Sequence, residues 1–352
     1  LTANLFDHFR DEIVIRGTFS NATPQEVANL AWSYGTTNRG DEALFRLLTS
    51  KTCDFLSSRN TLFAYNEDPY RFTNMEDPET MPRPKLNKIK LGLLKPQEIS
   101  NLVWALGTTK ICIEELNEII DFVHRLDSSG LNLFKEQEIS NFLWAIATLK
   151  NHENMQNTDM INIDFDFFEK MVKHLTYDRA QDVQNNNFKP QEIANIMWTV
   201  TYLNDLNISD EGNYRLLYNF LLHFCNIAYH KITKFPPQEM NNLIWSIAKL
   251  YTSITNKEIK FEEGQSDDEL ENVIIQVINV SVREIAVRKC QNFGPQDIST
   301  IVYSLALLGY KKIPAYKVLC TSFLRNNQYY RAQECSNLLW ALGTCEFGAD
   351  DE

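Results

Sequence analysis

The sequence predicts an all-α protein, an α-solenoid of about seven helix-pair repeats carrying polar loop insertions, and three observations lead there. One motif is written seven times in 352 residues. Its apolar positions fall at the spacing of a single helix face. Each copy is followed by a second amphipathic stretch, and pairs of this kind bury their apolar faces only by stacking on neighbours. The 12 Gly and the lack of any long alternating apolar/polar run argue against a sheet protein.

The fullest copy reads Lys95-Pro96-Gln97-Glu98-Ile99-Ser100-Asn101-Leu102-Val103-Trp104-Ala105-Leu106-Gly107-Thr108-Thr109. The copies start near residues 24, 96, 136, 190, 237, 295 and 332, so the spacings between them are 72, 40, 54, 47, 58 and 37 residues. With the Gln as position 0, position +1 is always acidic, +2, +5, +6 and +9 are apolar, and +8 and +10 are small. Position +4 is Asn in six copies, and all six Trp of the chain stand at +7, with Tyr303 in the remaining copy. Proline before the Gln suits the first helical position, where no N–H is needed, and the acid sits where the helix dipole favours negative charge. The motif is therefore a short helix with its own start signal.

Taken in order, residues 1–16 resemble the second helix of a repeat whose first helix is missing, with Leu5, Phe6, Phe9, Ile13 and Val14 apolar. Partner helices are expected at Asp41–Ser58, Ile113–Leu126, Phe165–Leu175, Tyr214–Tyr229, Leu270–Val287 and Pro314–Arg325. The surplus length falls into insertions at 60–94, 151–162, 204–212 and 252–268. The first holds Pro69, Pro78, Pro82 and Pro84 and reads as a long surface loop, and the others as shorter polar loops. Insertions in a stack of helices belong to its loops, so the whole chain, 1–352, is read as one array. The start at Leu1, which reads as a processed or fragmentary end, and the end shortly after Glu346 lead us to expect further repeats or domains flanking this piece.

The net charge of −12 is unevenly placed. Residues 65–84, 151–166, 257–271 and 346–352 carry −3, −4, −5 and −4, which leaves the rest of the chain at +4. The acidity sits in insertions and tail, and the repeat body is mildly basic. Seven Cys at 53, 112, 225, 290, 320, 335 and 345 form no CxxC pair, which suits a reducing compartment and structural thiols. No apolar run reaches the roughly 18 residues of a membrane span.

No P-loop, no GxGxxG after a strand, no HExxH and no GxSxG is present, so neither an enzyme nor a cofactor nor a small-molecule substrate is expected. His223, Cys225 and His230 share one partner helix but meet no zinc spacing rule, and no metal is expected.

The candidate binding residues come from the motif itself. Positions 0, +4, +7 and +11 fall along one side of the helix, so Gln97, Asn101, Trp104 and Thr108 share a stripe, as do Gln137, Asn141 and Thr148. Stacked copies would turn such stripes into ladders that include Gln191, Asn195, Tyr202, Gln238, Asn242 and Lys249. Amides and rings of this kind hydrogen-bond and stack on nucleobases, or clamp the backbone of an extended peptide. The competing reading is scaffold: Trp as core filler and Asn as the partner of buried backbone groups. Residues that vary between copies, at +3 and +11, are the better candidates for readout. Lys95, Lys135, Lys189 and Arg331 stand two residues before the Gln, and Lys234 two further upstream in its copy. A recurring cation at a helix start is either solvated surface or holds a phosphate against the free N–H groups.

The Pro-Gln-Glu-Ile-Ser-Asn-Leu-Val-Trp-Ala-Leu-Gly-Thr motif, residues 96–108, resembles the repeat signature of octatricopeptide-repeat (OPR) proteins and of the helical arrays that accompany RAP domains in algae and apicomplexans. The resemblance covers all seven copies and most of the chain. It implies a right-handed α-solenoid that binds RNA, an organellar transcript or rRNA, in the chloroplast stroma or mitochondrial matrix, acting in RNA stability, processing, translation or ribosome assembly. The chain differs in its irregular period, its acidic insertions and its lack of a visible RAP-like domain. The alternative is a protein-binding scaffold or a structural subunit of a large organellar complex.

Overall fold

The computed structural model describes residues 2–17, 19–57, 94–156, 160–179, 187–204, 211–256, 259, 268–325 and 330–345. Among the described residues every regular element is helical. The chain forms two compact units, 1–163 and 164–352.

In the first unit the motif copies form α2 (Pro24–Thr37), α4 (Pro96–Thr109) and α7 (Glu136–Gln156). The stretches read as partners form α1 (Thr2–Val14), α3 (Glu42–Ser57) and α5 (Leu116–Arg125), and a single turn, α6 (Ser128–Leu131), leads into α7. Motif helices pack on motif helices, α2 on α4 and α4 on α7, while α1 packs on α3 and α3 on α5. The result is two layers. Because α1 lies in the partner layer, the reading of residues 1–16 as a second helix agrees with the packing. Tyr34 of α2 ties the layers together by donating its hydroxyl to the Phe6 carbonyl at 2.7 Å.

The second unit repeats the plan. Motif helices α9 (Pro190–Asn204), α11 (Pro237–Thr255), α13 (Pro295–Leu307) and α15 (Ala332–Thr344) pack in sequence. Against them lie α8 (Phe165–Lys173), which runs on into a π turn at His174–Asp178, α10 (Glu211–Tyr229), α12 (Glu269–Val287) and α14 (Ile313–Arg325). The cores of both units are aliphatic and Phe-rich, with Phe45, Phe142, Phe220, Phe224 and Phe235 fully buried. Among the described residues no helix is long and apolar enough to cross a membrane.

Helix starts follow from local chemistry. Asp164 and Asp268 are N-caps whose carboxylates accept from the N–H groups of Phe167 and Leu270, each at 2.8 Å. Asp41 accepts from the Leu44 N–H at 2.9 Å and also holds Arg10 of α1 at 2.7 Å. At the far ends, Asn38 and Asn256 take left-handed backbone angles that Asn tolerates well.

The expected loop at 151–162 is partly wrong. Helix α7 continues to Gln156, because the buried Glu153 accepts from the N–H groups of Met160 and Ile161, at 2.9 and 3.1 Å, and closes the chain back onto the helix. Likewise α11 uses residues 252–255, and Ile259 is buried with its N–H on the Leu308 carbonyl at 2.8 Å. Most of the first insertion, 60–93, lies outside the described residues.

Candidate nucleic-acid interface

Each motif position has one physical task, and the tasks separate by helix face. The acid at +1 closes a hydrogen bond to the backbone N–H of the residue before the helix, the reciprocal arm of a capping box. The bonds run from Lys95 to Glu98 at 2.6 Å, Lys135 to Glu138 at 2.8 Å, Lys189 to Glu192 at 2.8 Å and Arg331 to Glu334 at 2.9 Å. Thr23 to Glu26 and Gly294 to Asp297 repeat them at 2.8 and 3.0 Å. In the remaining copy the same place is Pro236, which has no N–H to offer. Burial raises the Glu98 and Asp297 carboxyls above their usual range, and the bound N–H opposes that shift in both.

Small residues at +8 and +10 let neighbouring motif helices approach closely. A Cβ placed on Gly35 would stand 2.7 Å from Ala105 Cβ, and one on Gly107 would stand 2.7 Å from Ala145 Cβ. Position +10 of one helix thus meets +8 of the next. Position +3 belongs to the same contact: Ser100 donates to the Glu138 carbonyl of the next motif helix at 2.9 Å.

That contact overturns one expectation. Position +3 is buried at Ala28, Ser100, Ser140, Ala194 and Ser299, so it serves packing and cannot read a ligand in those copies. The scaffold reading is met only in part: Asn does not serve buried backbone, and no Trp is fully buried. Gln at 0 is exposed in all seven copies, and the Asn at +4 is exposed or half-buried in all six that have it. Their amides make no hydrogen bond among the described residues, so they do not satisfy buried backbone. The rings at +7 are half-buried at Trp104, Trp144, Trp198, Trp245 and Tyr303, and exposed at Trp32 (50 %) and Trp340 (45 %). No ring at +7 is fully buried, so this position lies at the edge of the motif layer and not in its core.

Positions 0, +4, +7 and +11 therefore form a solvent-facing stripe on every motif helix. In the first unit the stripes hold Gln97, Asn101, Trp104 and Thr108 beside Gln137, Asn141, Trp144 and Thr148. The Thr hydroxyls at +11 donate back to the Trp carbonyl one turn earlier, at 2.9 Å for Thr108 and 2.8 Å for Thr148, and present lone pairs outward. In the second unit Tyr202 stacks on Trp198 with centroids 5.8 Å apart, and Tyr303 and Trp340 of successive helices lie 4.9 Å apart. Lys249 places its ammonium 5.7 Å from the Tyr303 ring.

The five cations proposed for phosphate, Lys95, Lys135, Lys189, Lys234 and Arg331, are all exposed. Lys189 reaches Glu192 at 3.9 Å. The N–H of Lys95, Lys135, Lys189 and Arg331 is already held by the acid at +1, so that group is not available to a phosphate at these helix starts.

At the starts of α11, α13 and α15 the stripe opens into a groove of about 510 Å³, where Gln238, Asn242 and Gln296 meet Arg331, Asp297 and Glu334. Asn241 lines it too, and its buried Oδ1 has no hydrogen-bond partner. An Asn where other copies carry Ala or Ser at +3 was the signal in the sequence for this local difference. His223, Cys225 and His230 do not share an environment: Cys225 is fully buried, His223 half-buried and His230 exposed. Burial pushes the His223 imidazole down to about 4. The chain matches no protein-family model and no curated protein.

Proposed function

We propose that the chain is a non-enzymatic RNA-binding protein, one α-solenoid of about seven helix pairs over 1–352, whose motif stripes grip single-stranded RNA. One observation carries the reading. Gln, Asn and Trp recur in six or seven copies, yet each is left exposed or half-buried in every copy that has it. Packing explains +2, +3, +5, +6, +8, +9 and +10, and capping explains +1. Partly exposed rings beside free amides supply stacking and base-edge hydrogen bonds, the two means by which proteins hold unpaired bases. The exposed cations at the helix starts form a rim for phosphate. The organellar setting, in chloroplast or mitochondrion, rests on the resemblance to OPR and RAP-associated arrays.

All six Trp lie on the proposed surface, so intrinsic fluorescence reports on it directly. Titration with a mixed-sequence single-stranded RNA at low salt should quench the emission, with affinity falling linearly against log salt. Lys95→Glu, Lys135→Glu and Lys189→Glu together should flatten that slope. Trp104→Ala should weaken binding roughly tenfold, the scale of one stacked base. Absence of both quenching and binding at low salt would refute the RNA reading and leave the extended-peptide reading, for which the amide ladder is equally suited.

A further inference from the structure

The motif helices have a forward face that every copy but the last keeps buried. At +6 this face carries Ala31, Val103, Leu143, Met197, Ile244 and Val302, none more than 2 % exposed, whereas Leu339 of α15 is 68 % exposed. At +3, Ser100 is buried and bonded to the next helix, whereas Ser336 is exposed. At +10, Gly35 and Gly107 each abut the Ala of the following helix, whereas a Cβ on Gly343 would meet nothing within 4 Å. Three equivalent positions on one stripe are thus bare in α15 and covered elsewhere.

We infer that the Ser336–Leu339–Gly343 face of α15 is a docking site for one further helix built on the same motif. The occupant's chemistry follows from the contacts already made between α2, α4 and α7. It must carry a small residue at +8 to lie against Gly343, as Ala105 lies against Gly35 and Ala145 against Gly107. It must bring the backbone carbonyl of its +1 residue to the Ser336 hydroxyl, as Glu138 does for Ser100. It must cover Leu339 with its own apolar side. A bulky residue at +8 would hold the helices apart and break all three contacts together, because the closest approach is between backbones. Leu339 is a large apolar side chain to leave in water, and this helix covers it. The inference is independent of whether the stripe binds RNA.

The test uses the 352-residue chain and a fluorescent peptide of the α4 sequence, Pro96–Thr109, made helical by a lactam between Gln97→Lys and Asn101→Glu on its solvent stripe. Saturable binding to the wild-type chain is expected, with at least tenfold weaker binding to Leu339→Asp and to Gly343→Leu. Both substitutions fall at exposed positions, so the fold should survive them, and circular dichroism checks that it does. The same peptide with Ala105→Leu should bind at least tenfold more weakly. Failure of the parent peptide to bind saturably, or equal binding by the Leu339→Asp chain or by the Ala105→Leu peptide, would overturn the proposal.

Discussion

Replacing Gly107 by Ala should destabilise the protein, and replacing Gly343 by Ala should stabilise it, although both are position +10 of the same motif. At Gly107 the new methyl would sit 2.7 Å from Ala145 Cβ and 2.8 Å from Ala145 Cα. Carbons rest at about 3.5–4.0 Å, so the helices must part by roughly 1 Å, and no side-chain rotation relieves a clash with backbone. Overpacking of this kind costs about 1–3 kcal/mol, against about 1 kcal/mol gained from the better helix former, which leaves a net loss of up to about 2 kcal/mol. At Gly343 the methyl meets nothing, and only the gain remains, roughly 0.5–1 kcal/mol. Urea unfolding of the two variants and the parent reads the difference as midpoint shifts of opposite sign at unchanged slope. Gly35→Ala should behave like Gly107→Ala, since its methyl would meet Ala105 at the same 2.7 Å. A Gly107→Ala protein as stable as the Gly343→Ala protein would refute the account of close helix approach.

Three more outcomes follow from the same structure. Trp104→Ala should cost less stability than the roughly 3–5 kcal/mol of a buried aromatic, because the ring is half-exposed; a full core-sized loss on thermal unfolding would return Trp to the core. Ser100→Ala should cost about 1 kcal/mol, since it removes the bond to the Glu138 carbonyl, whereas Ser140→Ala should be neutral or stabilising because its buried hydroxyl has no partner; equal losses in denaturant titration would contradict this. Burial holds His223 at about 4, below its ordinary 6.5, so the unfolded chain binds the extra proton between those values and stability falls as pH drops through that window. Melting temperatures of parent and His223→Gln should therefore converge toward neutral pH and separate toward pH 4.5 with the parent lower; a constant difference would show that His223 does not titrate in the fold. The comparison between variants removes the opposing contribution of the raised Glu98 and Asp297 carboxyls, which favour the folded state as pH falls.

The helices were legible because their signals are local. Proline at the first turn, the acid two residues on and apolar residues at +2, +5, +6 and +9 specify where a helix begins and which side it buries, and α4 begins at Pro96 and α13 at Pro295 as read. The partner stretch expected at Tyr214–Tyr229 became Glu211–Tyr229, and that at Leu270–Val287 became Glu269–Val287, within the uncertainty of end caps. Where the reading failed, the cause was a contact distant in sequence. Glu153 reaches forward to Met160 and Ile161 and keeps as helix what polarity marked as loop.

The faces of the motif helix were harder. Apolar periodicity says that +2, +5, +6 and +9 face inward, but it does not say that a neighbouring motif helix covers +3 and +10 while leaving +7 partly exposed. Ser100 and Trp104 lie four residues apart on one helix, and on intrinsic polarity Trp belongs inside and Ser outside. The packing reverses them, because +3, +6 and +10 make a second contact face a third of a turn from the first. Small residues there permit an approach that no Trp would allow. Repetition in the sequence thus marked the motif as important, and the side on which the next helix lies separated the residues that hold the stack from those left at the surface.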